Sequence, residues 1–280
     1  MNLSYFITPA LGLDALNLYT SLYNTYIILD LKDSLHARVK QRARQELAEF
    51  DFAQLNDRLQ LGVRINPIST IDGVRDIELL YGLFSRGGFP ISHIIIPELR
   101  SREELLIYNS ILRSMPTQPK MIPVIETSEA VDDIEQIAAH SDALLCGHLD
   151  LIAGVFSANQ RYLDFARTSL CIAAARHKIM AIDCNSFELE DQHALEAECV
   201  MAKSQGFTAK AVIHMVQVPI VNSIFTIPEK EITHCRVLIN KYEEAEGGVV
   251  VKQGQLVVSP SIIDKAKRII DFYDSHARKE

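Results

Sequence analysis

Eight short apolar runs, each followed by a longer amphipathic stretch, limit how this chain can fold more than any other feature. They occupy residues 4–9, 26–31, 61–67, 93–97, 121–127, 143–146, 180–183 and 209–215. Nearly continuous Ile, Val and Leu is the pattern of strands buried on both faces of a parallel sheet, and each following segment is long enough to cross back. Residues 34–50 illustrate the helical pattern, with Ser34 as cap and Leu35, Val39, Ala43 and Leu47 on one face. Eight βα units in about 225 residues predict a (β/α)8 TIM barrel over 1–227. A doubly wound open sheet is the alternative, but no G-x-G-x-x-G or Walker sequence follows any strand.

Past Pro228 the pattern changes to a charged helix over 229–246, a hairpin over 249–258 turning at Gln253-Gly254, and a last helix over 261–275. A hairpin is not stable alone, so this 228–280 extension is expected to pack over the barrel mouth or against another subunit.

Charge and cysteine usage narrow the functional classes. The chain carries 28 Lys+Arg against 36 Asp+Glu, a net −8, which argues against a nucleic-acid partner because phosphate neutralisation needs clustered basic residues. Five cysteines without a C-x-x-C pair suggest neither a disulfide framework nor a zinc site, and a reducing cytoplasm is the expected compartment. The first basic residue is Lys32, so the positive n-region of a signal peptide is missing. The charge-free stretch 211–228 contains His214, Gln217, Pro219 and Asn222; it reads as a buried strand and a short helix, not a membrane span.

In a barrel of this kind the active site forms where strands end, so the polar residues there carry the functional signal. Asp30, Lys32 and Asp33 close the second strand, the third carries Arg64 and Asn66, and Glu98 follows the fourth. Glu126 ends the fifth, Gly147, His148 and Asp150 follow the sixth, Asp183 ends the seventh, and His214 ends the eighth. Asp30, Asp33, Glu98, Glu126, Asp150 and Asp183 would repel one another unless a cation sat among them. Carboxylate oxygens suit a hard ion, which makes Mg2+ the expected metal and Mn2+ the alternative, with Glu126 and Asp150 as ligands. Arg64, in a buried strand, is expected to face an anion at the mouth. Asp33 suits either a helix cap or a catalytic role. His214 reads as a hydrogen-bonded core or rim residue, and Cys184 as an inert thiol with nothing adjacent to activate it.

The ordered motifs I-L-D-L-K-D-S (28–34), V-R-I-N-P (63–67), I-I-P-E (95–98), V-I-E-T (124–127), G-H-L-D-L (147–151), A-I-D (181–183), G-F-x-x-K-x-x-I-H (206–214) and V-N-x-x-F (221–225) span almost the whole chain. This set resembles the citrate lyase β-subunit-like proteins of the HpcH/HpaI aldolase superfamily. The resemblance implies a Mg2+-binding TIM barrel that makes or breaks a carbon–carbon bond in a 2-oxo or 2-hydroxy acid, often a CoA thioester. It also implies a homotrimer or a multiple of one. By position, Glu126 and Asp150 match the metal ligands and Arg64 the arginine that holds the substrate's carboxylate or oxo oxygen. Asp30 and Asp33 match the acids of a D-L-E-D motif near the metal-bound waters. Arg64, Lys32, Glu98, Gly147 and His148 are the expected substrate-binding residues.

Three departures set this chain apart from that pattern. Lys32 replaces the middle acid of D-L-E-D, and Glu98 replaces the lysine of a P-K pair, a reciprocal charge exchange that is kept as a pair only if the two side chains meet. In the hairpin, the acid of D-G-x-M-x-D is Val258, which cannot donate a proton. At the N-terminus the usual R-S-x-L-F-x-P-G is absent, which weakens an anion-binding entry suited to the CoA diphosphate. The expectation is therefore a metal-dependent lyase or aldolase on a small oxo acid adduct, with the use of CoA left open. The alternatives are a CoA-ester lyase or thioester hydrolase, and a non-catalytic relative that keeps the metal and anion site.

Overall fold

A computed structural model describes residues 2–155, 159–244, 251–253 and 256–276. Eight parallel strands, β1 (Ser4–Pro9), β2 (Thr25–Asp30), β3 (Gln60–Arg64), β4 (Ile91–Ile96), β5 (Lys120–Ile125), β6 (Ala143–Cys146), β7 (Met180–Asp183) and β8 (Ala209–Val212), pair in chain order and close between β8 and β1. The open-sheet alternative is thereby excluded. Helices return the chain between strands: α1 (Lys40–Glu49), α2 (Ile71–Arg86), α3 (Arg102–Leu112), α4 (Ser128–Asp132), α5 (Ile134–Ala138), α6 (His148–Ala153), α7 (Gln160–His177) and α8 (Gln192–Gln205). α9 (Gln217–Phe225) follows β8.

The apolar runs are buried as their composition requires, with Ile27, Ile28, Leu29, Val63, Ile94, Ile95, Ile122 and Ile182 at 1% exposure or less. Local capping starts the helices cleanly. Thr70, Ser101, Thr127 and Asp191 each accept a backbone N–H in the first turn of the helix that follows. Near the barrel's N-terminal end, Tyr5 and Tyr26 sit 5.2 Å apart and Tyr26 and His93 4.2 Å apart, measured between ring centroids. Burial holds His93 neutral by pushing its pKa down to about 3.

The helix expected over 34–50 is shorter than its pattern. Asp30 accepts the Ser34 N–H at 2.8 Å, which ties Ser34 into the β2 loop. A 3-10 turn (Ala37–Val39) then intervenes, its Arg38 N–H accepted by the His36 ring, before α1 begins at Lys40. Asp33 therefore caps no helix. Strand β8 also ends earlier than expected, at Val212, because Gln217 accepts the N–H groups of Ile213 and His214 and turns the chain.

The chain separates into two compact units, Asn2–Phe225 and a second that starts at Thr226. In the second, α10 (Glu229–Glu244) packs on α11 (Pro260–His276) through Leu238 and Ile263, with Tyr242 against them. Arg236 pairs with Asp274 at 3.0 Å. Between these helices, β9 (Val251–Gln253) and β10 (Leu256–Val258) pair antiparallel, as expected of a hairpin, while Gly254 lies outside the described residues. Among the described residues no helix is long and apolar enough to cross a membrane.

Candidate active site and metal centre

Strand register brings opposite charges together at the C-terminal end of the barrel. Asp30 on β2 is level with Arg64 on β3, and Asp183 on β7 is level with Lys210 on β8. Arg64 donates from Nε and Nη2 to the two Asp30 oxygens at 2.7 and 2.6 Å, a bidentate pair. The same oxygens accept the backbone N–H groups of Lys32 and Ser34 at 2.9 and 2.8 Å. Burial alone would raise the Asp30 pKa, but the Arg64 hydrogen bonds and charge outweigh it and the net shift is downward. With four donors on a fully buried carboxylate, Asp30 positions Arg64 and has no free lone pair for proton transfer. Arg64 reaches on to Asp33 at 3.2 Å through Nη1, and Asp33, half exposed, lines the cavity.

The exchanged pair is formed. The Lys32 ammonium lies 3.0 Å from Glu98, and 3.6 Å from both Asp33 and Glu126. Burial would lower its pKa, but Glu126, Asp33 and Glu98 together raise it, so Lys32 stays charged. Glu98 has a left-handed backbone (φ 53°), uncommon for a residue with a side chain, and in it the Glu98 N–H donates to Glu126 Oε1 at 2.6 Å.

Glu126 is 5% exposed and hydrogen-bonds Asp150. Burial, aided by the Asp150 charge, pushes its pKa up to about 7, against the opposing pull of Lys32 and the Glu98 N–H. Gly147 makes this approach possible, since a Cβ there would stand 2.3 Å from the Glu126 Cβ and 2.6 Å from Oε2. Two neighbouring carboxylates, one of them buried, suit a hard divalent ion, and Mg2+ needs only one or two protein carboxylates beside water and substrate oxygens. Among the described residues no three His, Cys, Asp or Glu side chains converge as a complete cage, so the remaining positions would fall to water and ligand. The residues present fit Mg2+ bound in that open manner.

A second polar cluster faces the same cavity of about 980 Å³. Asp183 accepts from Lys210 Nζ and Arg167 Nη1, both at 2.7 Å, and Lys210 also donates to the Cys184 carbonyl at 2.8 Å. Arg167 stacks over the Phe207 ring at 4.5 Å. His148 lines the cavity, its Nδ1 buried without a partner among the described residues, and burial followed by the Arg167 charge lowers its pKa. The fold sets Arg167 beside Cys184, a neighbour that sequence order did not show. The Cys184 Sγ lies 3.9 Å from Arg167, the residue lines the cavity, and a hydrogen bond from the Cys146 thiol lowers its pKa. His214 is exposed, its Nδ1 accepting the Val216 N–H in the turn after β8.

Counting acids alone overstated their repulsion. Lys32, Arg64, Arg167 and Lys210 neutralise Asp30, Asp33, Glu98 and Asp183 from within the fold, and the Glu126–Asp150 pair is left least compensated. Arg167 went unmarked in the sequence because it lies on a helix, and Lys210 stood only as a motif position, without a role, inside an apolar strand. A buried lysine in such a strand is the signal that pointed to a partner.

Comparison with known proteins bears on the family and the fold. The family model described as HpcH/HpaI aldolase/citrate lyase matches residues 18–215. A (3S)-malyl-CoA thioesterase of Cereibacter sphaeroides is 29% identical over 246 residues, covering 85% of this chain and 82% of that protein. A citrate lyase subunit beta of Haemophilus influenzae is 25% identical over 270 residues, 91% of this chain and 90% of its own. Among solved structures, protein CitE from Mycobacterium tuberculosis, in complex with magnesium, acetoacetate and coenzyme A, superposes with a TM-score of 0.74. It is 20% identical and covers 98% of both chains.

Proposed function

The chain belongs to the HpcH/HpaI aldolase/citrate lyase family, and from that premise we propose that it is a Mg2+-dependent carbon–carbon lyase that cleaves or forms a small 2-oxo or 2-hydroxy acid adduct. The observation that carries this reading is the Glu126–Asp150 pair in the same cavity as a preorganised, bidentately held Arg64. Glu126 and Asp150 would hold the ion, which supplies a Lewis acid for a 2-oxo group and for the enolate charge that develops as the bond breaks.

The chain's own residues do the rest. Arg64 is locked by Asp30 and offers Nη1 beside Asp33, where a substrate carboxylate or oxo oxygen can accept it. Asp33 lines the cavity with a partly exposed carboxylate and is the group placed to take or return a proton. His148 lines the same cavity with a ring nitrogen that has no partner among the described residues, and serves substrate orientation there.

A second reading, processing of a CoA thioester, is favoured by the thioesterase relative and by the coenzyme A held in the magnesium-bound CitE structure. Val258 in the hairpin, where the family resemblance places an acid, weighs against it. The deciding assay is release of pyruvate, glyoxylate or oxaloacetate from free 2-hydroxy and 4-hydroxy-2-oxo acids and from malyl- and citramalyl-CoA, with Mg2+ and with chelator. Chelator-sensitive turnover of the free acids supports the lyase reading. Turnover of thioesters alone replaces it with the second, and tight Mg2+ binding without turnover of any adduct ends the lyase claim.

A further inference from the structure

Lys32 puts a positive charge into the acidic side of the cavity mouth, on three loops at once. Its side chain is 10% exposed, and its ammonium touches Glu98 after β4, Asp33 in its own loop and Glu126 after β5. Glu126 also accepts the Glu98 backbone N–H, so the loops after β2 and β4 each contact the same carboxylate. A divalent ion at Glu126 would share that carboxylate with an ammonium 3.6 Å away.

We propose that Lys32 is a resident cation that sets the affinity of the Glu126–Asp150 pair for divalent metal, with Glu98 deciding how strongly it competes. The inference rests on the metal reading of Glu126 and Asp150 given above. Without metal, Lys32 already meets part of the mouth's demand for positive charge. With metal, charges of one and two units on the same carboxylate repel, by about tenfold in affinity even with the dielectric of water. Glu98 is the counterweight, because at 3.0 Å its carboxylate draws the ammonium away from Glu126. Where the acid of the family's D-L-E-D motif stands, the charge would reinforce metal binding; here it opposes it.

The test is calorimetric titration of the full chain with Mg2+ alone and Mn2+ alone, for wild type, Lys32→Gln, Lys32→Met, Glu98→Gln and Glu126→Gln. Denaturant unfolding in chelator establishes that each variant is folded. Both Lys32 variants are expected to bind about tenfold tighter than wild type, Glu98→Gln to bind severalfold weaker, and Glu126→Gln to lose binding. Unchanged or weaker binding in both Lys32 variants, with binding still lost in Glu126→Gln, overturns the role of Lys32 and leaves the metal reading standing. Wild-type affinity in Glu98→Gln overturns the role of Glu98. Wild-type affinity in Glu126→Gln, or no binding by any of the five proteins, overturns the metal reading and this inference with it.

Discussion

Glu126→Gln in metal-free protein should make the chain more stable above neutral pH. The Glu126 carboxyl is pushed from 4.5 to about 7 by burial, so between these values the folded state holds a proton that the unfolded chain has released. Stability must therefore fall as pH rises through that window, because the folded state binds more protons than the unfolded one. At 1.36 kcal/mol per pKa unit, the cost at pH 8 is about 3 kcal/mol. The amide keeps the acceptor for the Glu98 N–H and can donate to Asp150, so it mimics the protonated acid at all pH values. Urea unfolding in chelator at pH 5 and pH 8 is the assay. Wild type and variant should agree at pH 5 and diverge by about 2–3 kcal/mol at pH 8, with the variant more stable. Parallel stability profiles across that range would refute the reasoning, since they would mean that Glu126 ionises without cost in the folded chain.

Other perturbations probe the frame around that pair. Arg64→Met strips the counter-charge from the fully buried Asp30 and should cost about 3–5 kcal/mol in denaturant unfolding, partly recovered by adding Asp30→Asn; a loss below about 1 kcal/mol would contradict the pairing. Gly147→Ala drives a methyl against Glu126 and should cost about 1–3 kcal/mol while abolishing the Mg2+-dependent rise in melting temperature, so a wild-type rise would count against the close approach. Cys184 should alkylate with iodoacetamide well before the buried Cys146, Cys171 and Cys199, and oxalate in the cavity should protect it. Equal, slow labelling of all four would mean that its sulfur is not at the cavity wall.

The barrel was legible because its cause is local. Runs such as 26–31 and 93–97 hold enough Ile and Leu to demand burial on both faces, and their order with the intervening helices admits few topologies. Asp30, Arg64, Glu126 and Asp150 could be picked out for a related reason, as charges at the ends of strands that otherwise exclude charge. Their relations could not. Whether Asp30 acts on substrate or holds Arg64 depends on cross-strand register, and register is set by how eight strands tilt and close. Helix-borne Arg167 enters the site only because α7 lays it against Asp183. Asp33 lost its alternative as a cap when Asp30 took the Ser34 N–H and delayed the helix to Lys40.

The reciprocal substitution at Lys32 and Glu98 shows the division most plainly. From the sequence alone, the exchange of charges between positions 32 and 98 was visible, as was its departure from the family pattern. Only the fold put the two side chains 3.0 Å apart, on loops after β2 and β4, and set the ammonium beside Glu126. Composition and periodicity act along the chain, whereas ion pairing falls off with distance through space. The sequence by itself therefore determined the barrel and the set of charged residues at its mouth, and the tertiary structure decided which charges cancel and which pair is left least compensated.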